Sequence, residues 1–278
     1  MSPHVPTARA TRLLTSAALI AVLALSTAAC NTTNGDVTGS IGRGAAATPR
    51  TDAEWRQSGE VWGERYRANT SDAEAGIKYA QALRATGQRA QAVAVLEQAA
   101  IANPKDQKLL GAYGRALADV GNYTQALEVL ARAHTPDNPD WRILSVQGAV
   151  LDQLGRPLEA RRYYASALKI VPNEPSVLSN LGLSYALNKE LKRAETILRR
   201  AVAQPNAEPK VRQNLGLVVG LQGRVSEAES IVRADLPAEE AAANAAYLRE
   251  MLAQQQQQNI GEPKKKSNAA KLPEYNPG

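Results

Sequence analysis

Residues 175–204 have the sequence PSVLSNLGLSYALNKELKRAETILRRAVAQ, which contains two small residues, Gly182 and Ala194, that recur along the chain at one fixed interval. The glycine returns every 34 residues, at Gly114, Gly148, Gly182 and Gly216. The alanine keeps the same step, at Ala92, Ala126, Ala160, Ala194 and Ala228. Because two separate series share this period, we predict a helix–turn–helix unit that repeats and stacks into a solenoid.

Each unit also carries signals for its turn and for the end of its second helix. We expect the small residues to lie where the two helices cross, since only small side chains allow a close approach. Glycine, which accepts the positive φ that ends a helix, occupies the turn in four units, at Gly87, Gly121, Gly155 and Gly223. Lys189 takes that place in the remaining unit, a departure that costs little if the turn there bends without a positive φ. Proline cannot continue a helix, and the second helices are expected to end at or near Pro104, Asn138-Pro139, Pro172 and Pro205-Asn206.

The repeating unit resembles the tetratricopeptide repeat over residues 72–237, as five units. The resemblance is strongest in the third and fourth units, for example at Asn180-Leu181-Gly182, and weaker in the first unit, where Ala80 replaces the glycine. An ordinary helical bundle is the alternative, but nothing in a bundle requires a constant 34-residue register. The resemblance implies an all-α fold, a right-handed α-solenoid with an aromatic helix at its N-terminal end and a capping helix at its C-terminal end.

The composition of the chain argues against several classes of function. The 278 residues include no Phe and only 4% aromatic residues, so Ala, Leu and Val must supply most of the packing between closely spaced helices. The net charge of +6 and the pI of about 9.4 are modestly basic, and no basic stripe is interleaved with aromatic residues, so we do not expect a nucleic-acid partner. The single Cys excludes an intramolecular disulfide, and the two histidines, His4 and His134, do not indicate a metal site.

Residues 1–29 are predicted to be an export signal rather than part of the fold. Arg9 and Arg12 form a charged start, and residues 13–29 follow as a nearly uninterrupted apolar run. The run is short for a permanent transmembrane span. We therefore expect the mature chain to lie outside the cytoplasm.

The signal ends in Thr27-Ala28-Ala29-Cys30, which resembles the cleavage site of bacterial lipoproteins. The resemblance implies that Cys30 becomes the first mature residue and is acylated, so that its acyl chains anchor the protein to a membrane. Lipoproteins usually have Leu where this chain has Thr27, and the alternative is ordinary cleavage and secretion of a soluble protein with a free thiol. Asn31, in place of an Asp, favours the outer membrane by analogy with the lipoprotein family.

The next two segments lead into the repeats. Residues 30–50 are rich in Gly, Thr and Ala and are predicted to be a flexible tether. Residues 51–71 are predicted to be an N-terminal capping helix with Asp52 as its N-cap. Three aromatic residues share one face of this helix, at Trp55, Trp62 and Tyr66. That face is interpreted as closing the open end of the solenoid, with an exposed docking patch as the alternative.

The chain after the repeats is predicted to contain one more helix and a tail. Residues 238–254 are predicted to be a capping helix on the fifth unit. Residues 255–278 are predicted to be a disordered tail, since they combine a Gln tract, a short Lys run and several Pro and Asn residues.

Stacked units of this kind should form one concave groove, lined by the first helix of each unit. The predicted partner groove contains Arg84, Arg115, Arg142, Asn180, Lys210 and Asn214. The groove has more Lys and Arg than acid, and the amides of Asn180 and Asn214 offer the donors and acceptor that an extended peptide backbone needs. The alternative is that these side chains are only the solvated face of the first helices. The Lys–Asn–Arg set with which some tetratricopeptide domains bind a C-terminal carboxylate is matched only in part, since Ala112 stands in place of its Asn.

Patterns of catalytic residues are not found in the sequence. No His stands near a pair of carboxylates, no Ser or Cys lies in a nucleophile motif, and the glycines follow the repeat rather than a phosphate-binding loop. We therefore expect a protein that is not an enzyme and that uses neither a metal nor a cofactor.

The chain resembles the tetratricopeptide-repeat lipoproteins of the tight-adherence (Flp) pilus system, of the TadD type, over most of residues 55–253. The resemblance rests on YAQALRATGQ at 79–88, on QNLGLVVGLQG at 213–223, and on an Ala-rich last helix with Asn244, Ala245 and Tyr247. It implies a scaffold, lipid-anchored at the outer membrane and facing the periplasm, that helps the secretin or another pilus component to assemble or to reach its place. The alternative is an adaptor for peptidoglycan or outer-membrane biogenesis that regulates an envelope enzyme.

Overall fold

The computed structural model describes residues 51–261, and this part of the chain consists of α-helices and their connections. The helices are α1 (Asp52–Ala68), α2 (Ala73–Ala85), α3 (Arg89–Ala102), α4 (Gln107–Asp119), α5 (Tyr123–Ala131), α6 (Trp141–Gln153), α7 (Pro157–Ile170), α8 (Pro175–Leu187), α9 (Leu191–Val202), α10 (Pro209–Leu221), α11 (Val225–Val232) and α12 (Ala238–Gly261). Within these residues the β-type pairing is one isolated bridge, between Thr135 and Asn138. No strand occurs between residues 51 and 261.

Consecutive helices form five hairpins that stack side by side. The pairs are α2 with α3, α4 with α5, α6 with α7, α8 with α9, and α10 with α11. Each first helix also contacts the first helix of the next hairpin, from α2 through α10, and α10 contacts α12 in the same way. The first helices therefore form a continuous inner layer, and the second helices form an outer layer.

The two helices of a hairpin approach so closely that the first helix has no room for a side chain where they cross. A Cβ atom built on Gly182 would lie 2.6 Å from Cγ of Leu198 and 3.3 Å from the carbonyl oxygen of Ala194. Atoms built on Gly114, Gly148 and Gly216 would meet Leu130, Tyr164 and Val232 at 2.5–2.6 Å. The recurring alanines of the second helices are at most 2% exposed. The predicted reason for the two small-residue series is thus confirmed.

The turn between the two helices has a positive φ in every hairpin, including the one without glycine. Gly155 has φ of 72° and Lys189 has φ of 63°, so the condition for an inexpensive lysine in this turn is not met. The cause is the hydrogen bonding of the turn. The N–H of Lys189 donates to Ala186 and the next N–H donates to Tyr185, both at 2.9 Å, as in the glycine turns. A side chain in this conformation costs about 1–2 kcal/mol, which the packing of the hairpin must offset.

The second hairpin ends earlier than predicted. α5 stops at Ala131, so the expected stop at Asn138-Pro139 lies in a connection that spans residues 132–140. The N–H of Ala133 bonds to the carbonyl three residues before it, which ends the helical pattern. The hydroxyl of Thr135 then accepts from the Asn138 N–H at 3.2 Å and closes a tight turn. This local turn, which contains Pro136, comes before Pro139 is reached.

The aromatic face of α1 closes the N-terminal end of the stack. Trp55 and Tyr66 are 6% and 7% exposed, and Trp62 is partly buried against the same core. The Tyr66 hydroxyl donates to the carbonyl of Val95 on α3 at 3.2 Å. These contacts support the capping interpretation and not the exposed docking patch.

The N-terminal end of α1 and the C-terminal end of α12 differ from their predicted positions. Thr51, not Asp52, is the N-cap of α1, because its hydroxyl and the Glu54 carboxylate form a reciprocal capping box. α12 packs on α10, where Leu248 covers Gly220, and it continues to Gly261, past the predicted end at residue 254. Glutamine is a good helix former, which accounts for the longer helix.

Several predicted segments lie outside the described residues. They are the signal peptide, Cys30, the tether as far as residue 50, and residues 262–278 of the predicted tail. Between residues 51 and 261, no helix is both long enough and apolar enough to span a membrane.

Gly148→Ala should destabilise the chain by about 1–3 kcal/mol, because the new methyl group would overlap the ring of Tyr164, which is 1% exposed. Gly59→Ala in α1 is a matched control, since a Cβ there meets Ala82 at an ordinary 3.5 Å. The control should be neutral or stabilising by up to about 1 kcal/mol, because Ala is the better helix former. Urea unfolding followed by circular dichroism measures both changes. Equal stability of the two variants would contradict the close crossing.

Candidate partner-binding surface

The inner layer carries every residue of the predicted partner groove, but it exposes them unequally. We call the side of α2, α4, α6, α8 and α10 that faces away from the outer layer the inner face. The four basic residues of the predicted groove and Asn214 are partly exposed. Asn180 is only 5% exposed, which corrects its expected open position.

Two inner-layer amides are bonded between neighbouring first helices. The Asn180 amide donates to the Ser145 hydroxyl at 3.1 Å, and the Asn214 amide donates to the Ser179 hydroxyl at 2.9 Å. Both bonds join residues 35 apart, so each one crosses from one hairpin to the next. These donors are used inside the solenoid. A contact of the two amides with a peptide backbone stays a prediction.

Arg84 also joins neighbouring hairpins. Its guanidinium on α2 pairs with Asp119 on α4, whose side chain is only 2% exposed. Arg115 is half-buried and lies one helical turn before Asp119. The buried carboxylate balances part of the local positive charge, so Arg84 contributes to the interface between the first two hairpins.

The accessible positive charge of the inner face comes from other residues. The Arg142 guanidinium lies over the Trp141 ring, 4.5 Å from its centroid, and this cation–π contact holds it at the start of α6. Lys78 on α2 and Lys108 on α4 are exposed, and Lys210 at the start of α10 is half-buried. Cations in these positions would attract acidic side chains of a partner.

The outer layer uses its charges differently. Glu195 of α9 accepts from the Gln222 amide at 2.9 Å and from the Arg224 guanidinium at 2.8 Å, and it pairs with Arg199 at 2.7 Å. Burial opposes the negative charge of Glu195, but these donors together lower its pKa to about 2. Arg199 and Arg224 each pair with Glu227 as well. This network joins the fourth and fifth hairpins and neutralises the outer cations in it.

A buried carboxyl group joins α6, α7 and α8. Asp152 accepts hydrogen bonds from the Tyr164 hydroxyl at 2.9 Å and from the Ser184 hydroxyl at 2.7 Å. Burial raises the pKa of Asp152 to about 6, against the lowering effects of the two hydroxyl donors and of Arg161. Arg161 in turn pairs with Glu190 at 2.8 Å.

Sequence reasoning did not identify this polar site, although the sequence contains its signal. Tyr164 stands where the other repeats have Leu96, Leu130, Leu198 and Val232. A tyrosine buried at a helix crossing needs a hydrogen-bond partner for its hydroxyl. Asp152 lies four residues after Gly148, one turn along the same helix face, so it is the acceptor within reach.

Asp152→Asn should remove one component of the pH dependence of stability. The pKa in the folded chain is raised from 3.8 to about 6, so the stabilisation from protonation is complete below about pH 4 and is lost as the pH rises through 6. The free energy of unfolding of the wild type should therefore fall, relative to that of the variant, by roughly 3 kcal/mol across this window. Chemical unfolding between about pH 4 and pH 7 measures the difference.

Tyr164→Phe is the matched control, because it removes a hydroxyl donor and retains the carboxyl group, so its slope with pH should remain. Glu195, whose pKa is lowered to about 2, contributes stability that is lost only as the pH falls below about 4.5, outside this window. Parallel pH profiles for the wild type and Asp152→Asn would contradict a raised pKa for Asp152.

Known proteins share this architecture. Family models described as tetratricopeptide repeat match residues 83–147 and 146–209. The chain is similar to TTC0263, a thermophilic tetratricopeptide-repeat protein of Thermus thermophilus, with 25% identity, a TM-score of 0.54, and coverage of 66% of this chain and 97% of that one. It is also similar to the hetero-tetramer Cut9–Hcn1 of APC/C, with 15% identity, a TM-score of 0.59, and coverage of 87% of this chain and 47% of that one.

A third similar structure is that of YrrB, described as a tetratricopeptide-repeat protein with an unusual peptide-binding site, with 17% identity, a TM-score of 0.45, and coverage of 67% of this chain and 98% of that one. No curated protein matches the sequence. The matched repeats and the stacked hairpins together identify the described part of this chain as an all-α solenoid of tetratricopeptide repeats, an architecture typical of non-catalytic scaffolds that bind peptides or other proteins.

Proposed function

We propose that this chain is a non-catalytic scaffold that binds a segment of another protein along its inner face. The observation that carries the proposal is the continuous inner layer, in which each first helix contacts the next from α2 to α12. One extended segment can therefore contact every repeat in turn. Exposed lysines on this face contrast with the paired arginines of the outer network.

The chemistry of the described residues supports a role without catalysis. Asp152 has a pKa near 6, which suits an acid or base, but its oxygens are already occupied by Tyr164 and Ser184 inside the stack. A regular stack of helices presents a surface for binding rather than a closed reaction chamber.

The finer proposal is an envelope lipoprotein that assists a tight-adherence pilus system. It is supported by the predicted export signal at residues 1–29, which precedes Cys30, and by the resemblance of residues 79–88 and 213–223 to TadD-type proteins. The acyl chains on Cys30 would hold the repeats at the outer membrane on the periplasmic side. The partner would be the secretin or another pilus-assembly component, held while it assembles.

In-cell photo-cross-linking tests the partner and the surface together. A photoreactive residue in place of Leu183, which is half-buried on the inner face, should trap the secretin or another pilus component. Thr196, exposed on the outer helix α9, is the matched control and should trap little of it. Leu183 serves better than Asn180 because Asn180 is 5% exposed.

The outcomes test the pilus role, inner-face binding and lipid anchoring separately. Capture of a peptidoglycan enzyme or an outer-membrane assembly factor from Leu183 would replace the pilus role by the adaptor role. Equal capture from both positions would show that the inner face is not the binding surface. In the same cells, Cys30→Ala should release the chain from the membrane fraction, and a chain that stayed there would contradict lipid anchoring.

A further inference from the structure

Two rows of residues on the inner face change their chemistry between the third and fourth repeats, although Lys210, Gln213 and Asn214 keep the start of α10 polar. The ninth residues of the five first helices are Gln81, Arg115, Ala149, Leu183 and Leu217. The last residues of the same helices are Ala85, Asp119, Gln153, Leu187 and Leu221. Both rows are polar or small in the first three repeats, and both are leucine in the last two. All four leucines are partly exposed, but Leu217 packs against Ala245 and Leu248 of the capping helix. Leu183, Leu187 and Leu221 are therefore the leucines available to a partner.

The first three repeats carry an excess of positive charge on this face. The basic residues are Lys78, Arg84, Lys108, Arg115 and Arg142, and the acidic residues are Glu74, Asp119 and Asp152. Asp119 is paired with Arg84, and Asp152 is hydrogen-bonded inside the stack. Glu74 is the exposed acid of this set. The N-terminal half of the inner face is therefore electropositive.

The fourth repeat offers a partner almost no polar group. The polar residues on the first helix of this repeat, Ser176, Ser179, Asn180 and Ser184, are at most 5% exposed. Each is already bonded within the solenoid, to Glu174, Asn214, Ser145 and Asp152 respectively. Because these groups are satisfied, a partner gains no hydrogen bond from them. What α8 presents at this face is Leu183 and Leu187.

We infer that the partner segment is bipartite, with acidic residues that lie on repeats one to three and apolar residues that lie on repeats four and five. The inference rests on the proposed function and specifies the chemistry of its partner. The exposed lysines and Arg142 supply the complementary charge at one end. Burial of Leu183, Leu187 and Leu221 supplies the apolar contact at the other end. The two halves together fix the orientation of the segment along the solenoid.

A synthetic peptide pair tests the inference. The five inner helices, about 9 Å apart, span about 36 Å, which an extended chain of about eleven residues covers. The bipartite probe is a peptide of about this length with glutamates in one half and leucines in the other. The control peptide has the same composition with the two residues alternating. Binding to the purified full chain is followed by fluorescence anisotropy, and the bipartite peptide should bind about tenfold more tightly.

Matched variants of the chain assign each half of the probe. Lys108→Glu should weaken binding of the bipartite peptide about tenfold at low salt, and the effect should largely vanish at about 1 M salt. Leu183→Gln should weaken binding about tenfold at both salt concentrations. Lys169→Glu and Leu158→Gln, at exposed sites on the outer helix α7, should leave binding unchanged.

The results distinguish this inference from the proposed function. Equal affinity for the two peptides, or no effect of Lys108→Glu, would overturn the bipartite partner, while capture from Leu183 in cells would still support inner-face binding. If neither peptide bound while Leu183 still captured a protein in cells, the bipartite partner would be overturned and inner-face binding would still be supported. Failure of both peptides together with equal capture from the two layers would overturn both proposals.

Discussion

The close approach of a first-helix glycine to the second helix of its hairpin is the constraint on which this structure depends. At Gly182 the backbone of α8 comes so close to Ala194 and Leu198 of α9 that a Cβ would collide with the leucine at 2.6 Å. This close approach sets how the two helices of a hairpin pack against each other. Repetition of the same hairpin fixes how the next first helix is placed, and so produces a continuous inner layer. The proposed binding surface is the exposed side of that layer.

The third hairpin keeps the close approach but places a different residue opposite its glycine. Tyr164 replaces the usual Leu or Val opposite Gly148, and its hydroxyl then needs an acceptor in the core. Asp152 provides the acceptor and also bonds to Ser184 of the following hairpin. The cost is a buried carboxyl group whose pKa rises to about 6. The benefit is a polar connection between the third and fourth hairpins.

Much of the fold could be predicted because small residues recur in the sequence at a constant interval. Small residues every 34 positions located the crossings, and the turn glycines located the ends of the first helices. The positive φ of Lys189 could not be predicted from its own identity, since hydrogen bonds to Ala186 and Tyr185 impose it. The early end of α5 at Ala131 depends likewise on a local turn and not on the proline beyond it.

The candidate site was less predictable because its chemistry depends on contacts between repeats. Asn180 has the pattern of an exposed inner-face residue, but its burial follows from a bond to Ser145, which lies 35 residues away in the preceding hairpin. The pairing of Arg84 with Asp119 has the same offset. Position within one repeat therefore indicates the face on which a residue lies, and the neighbouring repeat decides whether a partner can reach it.

Hydrogen–deuterium exchange of the full chain, alone and with the protein captured from Leu183, tests the central claim most directly. The account predicts slower exchange in the inner helices α2, α4, α6, α8 and α10, with the outer helices α3, α5, α7, α9 and α11 unchanged. Slower exchange confined to the outer helices would contradict it.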